Sequence, residues 1–133
     1  MWQVYRQNPT TVYWIHYHFV WVTRRHRKVL RGALALRLQE LIYESCQGLE
    51  IEIQGLEIQP NVVELQVHCP PILAPHQVVH RIKAHSAHHL RREFEQLQSL
   101  PSMWTRAYFV STAETVAEET IKDYVQSQKK KKS

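Results

Sequence analysis

Apolar and polar positions alternate through Val12–Thr23 (V-Y-W-I-H-Y-H-F-V-W-V-T), a stretch rich in the β-branched and aromatic residues that suit a pleated strand. The alternation puts Tyr13, Ile15, Tyr17, Phe19 and Trp21 on one face and Trp14, His16, His18, Val20 and Val22 on the other. From Val29 to Cys46 the period becomes helical, with Leu34, Leu38, Leu41, Ile42 and Cys46 recurring on one side and Gly48 as a stop. The near-repeat G-L-E-I-E-I-Q-G-L-E-I-Q over 48–59 returns to strand alternation, with Gly55 as a bend or bulge. Pro60-Asn61 is a turn, Val62–Cys69 is a second strand, and the two make a hairpin closed by Pro70-Pro71.

Pro75–Leu97 predicts a long helix, with an apolar stripe through Val78, Val79, Ile82, Leu90, Phe94 and Leu97. A second stripe on that helix is cationic: Arg81, His85, His88 and Arg92. Tyr108–Thr112 reads as a short strand. A last helix begins near Val116, with Glu118 and Glu119 in a first turn that the helix dipole favours and Val116, Thr120, Ile121 and Val125 on its docking side. The order strand, helix, strand, strand, helix, strand predicts an α+β ferredoxin-like split βαβ sandwich: an antiparallel sheet with helices on one face, plus a C-terminal helix. One domain is expected over 1–128, followed by a basic disordered tail over 129–133.

The chain has 133 residues, enough for one ordinary core, and its formal net charge of +5 favours an anionic partner, nucleic acid first. Part of that excess is the Lys129–Lys132 run. No stretch approaches a membrane span and no signal-peptide pattern opens the chain, so a cytoplasmic protein is expected, nucleoid-associated if it binds DNA. Cys46 and Cys69 have no metal-type spacing and are expected to be reduced, packed thiols.

The nine histidines need an explanation. His85, His88 and His89 share their helix with Arg81, Lys83, Arg91 and Arg92, cations that would repel a metal ion. A phosphate-facing surface, strengthened by protonation near pH 6, is the better reading. The cluster Arg24, Arg25, His26, Arg27 and Lys28 at the exit of the first strand adds to it. Tyr124 and Gln128 share one face of the last helix, which is open to two readings. They are either a nucleophile beside an oxygen ligand for a metal, or a half-buried tyrosine beside a solvated glutamine.

Several segments in order resemble the small single-tyrosine transposases of the HUH superfamily, the insertion-sequence and REP-associated tyrosine transposases. Tyr17–Thr23 followed by Arg24–Lys28 is similar to that family's first strand and basic exit. Pro70-Pro71 is similar to its di-proline, and Val78–Lys83 with Ser86 to its Lys-x-x-Ser helix. Trp104 with Tyr108–Thr112 resembles its Trp…Gly-Tyr-Phe-Val-x-Thr segment, and Ile121–Gln128 its catalytic helix. The resemblance spans about Tyr17 to Gln128. It implies DNA transposition by strand cleavage and rejoining next to a folded hairpin, with Tyr124 as nucleophile and Gln128 as a ligand for Mg²⁺ or Mn²⁺. It also implies a homodimer whose sheets join edge to edge and whose terminal helices complete each other's sites.

The resemblance breaks at the metal site. Where the family carries Pro-Asp-His-Val-His-Leu, this chain reads Pro60-Asn61-Val62-Val63-Glu64-Leu65. Val62 cannot bind a metal, whereas Glu64 can. A shifted oxygen site of Glu64, Gln66 and Gln128 is one rescue; His68 lies roughly 13 Å along the strand from Glu64, too far to share its ion. His16-Tyr17-His18 fits the HUH pattern literally but sits on the first strand, where it reads as packing or as a nucleic-acid-facing pair. Glu114 also stands where the family has a hinge-like Gly.

The expectation is therefore a domesticated binder of single-stranded or hairpin DNA (or RNA) whose ancestral cleavage is lost or impaired. Its expected nucleic-acid contacts are Arg24, Arg25, Arg27, Arg81, Lys83, His85, His88 and Arg92. A working transposase with a site rebuilt on Glu64, or a dimeric adaptor for a protein partner, are the other two readings.

Overall fold

The structure, a computed structural model, describes residues 5–129. In chain order its elements are β1 (Arg6–Gln7), β2 (Val12–Tyr13), β3 (His16–Val22), α1 (Gly32–Gln47), β4 (Glu52–Gln59), β5 (Val62–His68), α2 (Pro75–Glu93), β6 (Phe109–Ser111) and α3 (Glu118–Lys129). The main sheet is antiparallel with strand order β4-β5-β3-β6, the ferredoxin-like split βαβ topology expected from the pattern. Among the described residues no helix is long and apolar enough to cross a membrane. Lys129 ends α3, and the rest of the expected basic tail lies outside the described residues.

One face of the sheet carries Phe19 and Trp21 from β3 and Val63, Leu65 and Val67 from β5, packed against Leu38, Leu41 and Ile42 of α1 and Val78, Val79 and Ile82 of α2. Burial of about ten such side chains at about 1.5–3 kcal/mol each is what holds this layer. The register of β4 explains its near-repeat. Ile51 and Ile53 face the core, a simple alternation would then turn Glu57 inward, and a register shift between Ile53 and Gly55 corrects the phase so that Leu56 and Ile58 point in. Cys46 and Cys69 are free and buried in the same core, where burial pushes both thiols up to about 12.

Three expected elements end differently. Val12–Thr23 is not one strand: Val12 and Tyr13 pair with Gln7 and Arg6 in a separate hairpin, and the main strand starts at His16. The hairpin is closed by Asn8, whose side chain accepts from the Thr10 N–H at 3.0 Å. The long helix stops at Glu93 because Phe94 turns extended (φ −120°, ψ 108°), and a 3₁₀ turn over Glu95–Leu97 then delivers Leu97 and Leu100 to the end of the core. Finally, α3 starts at Glu118, so Val116 precedes it, and Thr120 is exposed while Tyr124 joins Ile121 and Val125 on the docking side.

Candidate active site and nucleic-acid interface

The second face of the sheet is where α3 sits. Val20 and Val22 of β3 and Val62 of β5 form a small buried patch, and Phe109, Ile121, Tyr124 and Val125 pack on it. The alternation that sends Phe19 and Trp21 inward sends Val20 and Val22 to this side. Tyr124 and Gln128 do share a face of α3, and it is the inward one. The Tyr124 ring lies 5.7 Å from that of Phe109, and its buried hydroxyl has no hydrogen-bond partner among the described residues. Burial pushes the phenol up to about 12, the wrong direction for a nucleophile that must lose its proton. Gln128 is 5% exposed, so it is not the solvated side chain of the plainer reading, and its amide donates to the Ser127 hydroxyl at 3.4 Å.

Val62, where the family pattern has its first histidine, is 4% exposed within the valine patch and offers no donor atom. Glu64 and Gln66 point to the same side, as expected. Glu64 is engaged by His18, whose Nε2 lies 3.4 Å from Glu64 Oε1, a partner that sequence reasoning misses. Its signal is the register: His18 faces Gln66 and Val20 faces Glu64, which makes His18 and Glu64 diagonal neighbours on one face. Between α3 and the β4–β5 hairpin runs a cleft of about 830 Å³ lined by Glu64 and Gln66, but not by Tyr124 or Gln128. Among the described residues no three His, Cys, Asp or Glu side chains are grouped to hold a metal ion. The donor set therefore does not fit the family's divalent ion: one ligand position is apolar, the second is tied to an imidazole, and Gln128 lies off the cleft.

His16 and His68 are also neighbours on this face, with ring centroids 5.3 Å apart, and the Trp14 ring lies tilted against His68 with centroids 4.0 Å apart. Desolvation lowers both imidazoles; His18 lowers His16 further and His16 and Arg6 lower His68 further, against Glu114 at His16 and against Glu52 and Glu114 at His68. This end of the face is capped by the Arg6–Glu52 ion pair.

The predicted basic residues fall into two groups, one on a loop and one on a helix. Arg24–Lys28 form a loop at the exit of β3, beside the C-terminal end of α3. Arg25 and His26 both have left-handed backbones (φ 57° and 54°), an uncommon state for non-glycine residues that costs about 1–2 kcal/mol each. The Thr23 hydroxyl, donating to the Arg27 carbonyl at 2.7 Å, and the Arg24 N–H, donating to the Met103 carbonyl at 3.0 Å, hold the loop in that shape. Arg25 and Arg27 are exposed, and Arg24 donates to Ser102 Oγ at 2.9 Å.

The second group lies on α2, in the other layer. Arg81 is exposed. His85 meets Glu44 of α1 at 3.3 Å, and Arg92 lies 3.4 Å from His88 Nε2. Lys83 is not on this surface: its ammonium group is largely buried, bonded to the carbonyls of Thr105 and Ala107 at 2.8 and 3.2 Å, and desolvation lowers it to about 8. Helical spacing places Lys83 among cations, but the loop from α2 to β6 folds over it. Ser86, one turn on, accepts the Trp104 indole N–H at 3.3 Å, so the Lys-x-x-Ser segment clamps the loop that leads to β6 and α3.

An antiparallel split βαβ sheet, helices on one face, and a terminal helix carrying Tyr and Gln across the other together define the single-tyrosine transposase type of domain. The family described as "Transposase IS200 like" matches residues 11–128, and the chain belongs to it. The ISDra2 transposase TnpA of Deinococcus radiodurans is 25% identical over 120 residues, which is 88% of this chain and 86% of that one. A crystal structure of a candidate transposase from Deinococcus radiodurans R1 superposes with a TM-score of 0.83 at 26% identity, covering 92% of this chain and 97% of that one. A REP-associated tyrosine transposase solved with a REP hairpin shares the fold, with a TM-score of 0.55 at 14% identity over 91% of this chain and 68% of its own.

Proposed function

We propose that this member of the IS200-like transposase family binds hairpin-bearing single-stranded DNA and has lost, or nearly lost, the strand cleavage of its ancestry. The observation that carries the reading is Val62: a metal-ligand position has become part of the apolar seat on which α3 rests. The buried Tyr124 hydroxyl, without a hydrogen-bond partner among the described residues, supports it, because a phenol with no base beside it is a poor nucleophile. Hairpin DNA is the ligand of the REP-associated relative, and the exposed Arg25 and Arg27 beside the cleft give this chain an anion-attracting rim. The protein acts in the cytoplasm, at the nucleoid when DNA-bound. A homodimer is part of the reading, since β6 is a free sheet edge with Val110 exposed, open to strand addition by a second copy. Mg²⁺ or Mn²⁺ enters only if cleavage persists.

A covalent-adduct assay tests this. Wild type and Tyr124→Phe are mixed with labelled single-stranded hairpins in Mg²⁺ or Mn²⁺, then resolved under native and denaturing conditions. The expected result is a native complex with both proteins and no label retained after denaturation. A Tyr124-dependent adduct would overturn the loss of cleavage. Absence of any native complex at low salt would overturn the DNA-binding reading.

A further inference from the structure

The cleft between α3 and the β4–β5 hairpin holds an arrangement that packing alone does not explain. Glu57 of β4 and Glu64 of β5 are direct cross-strand partners, and both line the cleft. Like charges directly opposite on neighbouring strands are destabilising, and no lysine or arginine among the described residues bridges these two. Glu57 receives only the Gln59 amide, at 3.3 Å, and Glu64 only the His18 imidazole. His18 is 3% exposed, lines the same cleft, and keeps its other ring nitrogen, Nδ1, without a partner among the described residues. The floor therefore sets two carboxylates that no cation neutralises beside the amides of Asn61 and Gln66.

The walls differ from the floor. Glu118, in the first turn of α3, also faces the cleft without an ion-pair partner among the described residues. Lys28, Lys122 and Lys129 line the cleft as well, likewise without carboxylate partners among the described residues. A floor with two carboxylates repels phosphate, whereas the lysines attract it. A ligand satisfying both presents N–H donors inward and an anionic backbone outward. The volume, about 830 Å³, suits a small ligand rather than a duplex.

We propose that this cleft takes an unpaired nucleobase bearing an exocyclic amino group, cytosine, adenine or guanine rather than thymine, from the single strand next to the hairpin. The amino group of such a base donates to the Glu57–Glu64 pair, and the flanking phosphates lie on the lysines. Thymine, the one DNA base without an exocyclic amino group, presents carbonyl oxygens on both sides of its single ring N–H, and the carboxylates repel them. The inference rests on the reading that this chain binds single-stranded DNA, and it adds which bases that strand carries.

Fluorescence anisotropy in EDTA tests it, using a blunt hairpin, the same hairpin with a single-stranded tail of dC, dA or dT, and the three tails as free oligonucleotides. Wild type is expected to bind the dC and dA tails about tenfold more tightly than dT, near the lower end of what a good base-edge contact contributes. Glu57→Gln with Glu64→Gln, which removes both carboxylates of the pair, is expected to bring the three tails within twofold of one another while leaving the blunt hairpin unchanged. Equal binding of all tails by wild type overturns the proposal, as does a preference that survives in the double variant or that appears only when Mg²⁺ replaces EDTA. Failure to bind any hairpin or oligonucleotide at low salt overturns the DNA-binding reading itself. A protein that ignores the hairpin but still ranks the free oligonucleotides leaves the cleft assignment standing.

Discussion

The side-chain nitrogen of Lys83 lies 2.8 Å from the carbonyl oxygen of Thr105, inside the protein rather than on the exposed face of α2. Lys83→Met keeps the stem and removes the donor from two loop carbonyls, which is expected to cost about 1–3 kcal/mol by urea denaturation. The pH dependence has a definite sign. Desolvation lowers the folded-state amine to about 8 from 10.5, so between those values the unfolded chain binds the extra proton and the wild type gains stability as pH rises. Its advantage over Lys83→Met should therefore grow from pH 8 toward pH 10. An advantage that stays flat would mean that the amine is solvated.

Tyr124 contributes its ring, and not its hydroxyl, to the seat of α3. Tyr124→Phe removes a buried hydroxyl that has no hydrogen-bond partner among the described residues, so the melting temperature is expected to stay constant or rise, by up to about 1 kcal/mol in stability terms. A loss larger than that would show that the hydroxyl has a partner in solution.

Val62→Ala should loosen the same seat. It removes two buried methyl groups from a patch of only three buried valines, at a cost of about 1–2 kcal/mol. The segment that tethers α3, residues 112–117, should then be cut faster in limited proteolysis, while cleavage elsewhere is unchanged. Equal cutting of both proteins would mean that Val62 does not hold the helix.

Acid should weaken the fold through His16 and His68. Both are lowered from 6.5 by desolvation first, so below that pH the unfolded chain takes up protons that the folded chain refuses. Stability is expected to fall between pH 7 and pH 5. The fall should be shallower in a His16→Gln, His68→Gln double variant, which stays neutral throughout. Parallel curves for the two proteins would count against this assignment.

Salt should separate the two basic surfaces. Arg25→Ala with Arg27→Ala is expected to weaken hairpin binding and to lower the log–log salt slope by about two, one for each phosphate that is no longer neutralised. Arg81→Ala with Arg92→Ala, on the opposite layer, should change the slope by less. The reverse ranking would move the DNA path to α2.

Much of the fold is legible in the sequence because it follows from periodicity. The change from period two to helical spacing marks β3, α1, the β4–β5 hairpin and α2 to within a few residues, and the phase break in β4 signals its bulge. Asn8-Pro9 is a turn signal, but the unbroken alternation after it predicts one strand where a hairpin and a strand exist. The end of α2 carries no breaker: Phe94 leaves the helix where local spacing would continue it, and Leu97 and Leu100 are buried beyond it. At the site, the resemblance sets Val62 where the family pattern has a histidine, and spacing places Tyr124 and Gln128 on one face.

By itself, then, the sequence determined the order of elements, the two faces of the central strands, the family, and the absence of a donor at Val62, since all of these depend on residue identity and local spacing. The tertiary structure decided what distance along the chain conceals. It turned the Tyr124–Gln128 face inward onto three valines, folded a loop over Lys83, brought Glu44 to His85, and set Glu57 against Glu64 across a cleft. Those outcomes depend on which surfaces meet after the layers pack, and desolvation, the largest influence on Lys83 and Tyr124, exists only once they have met.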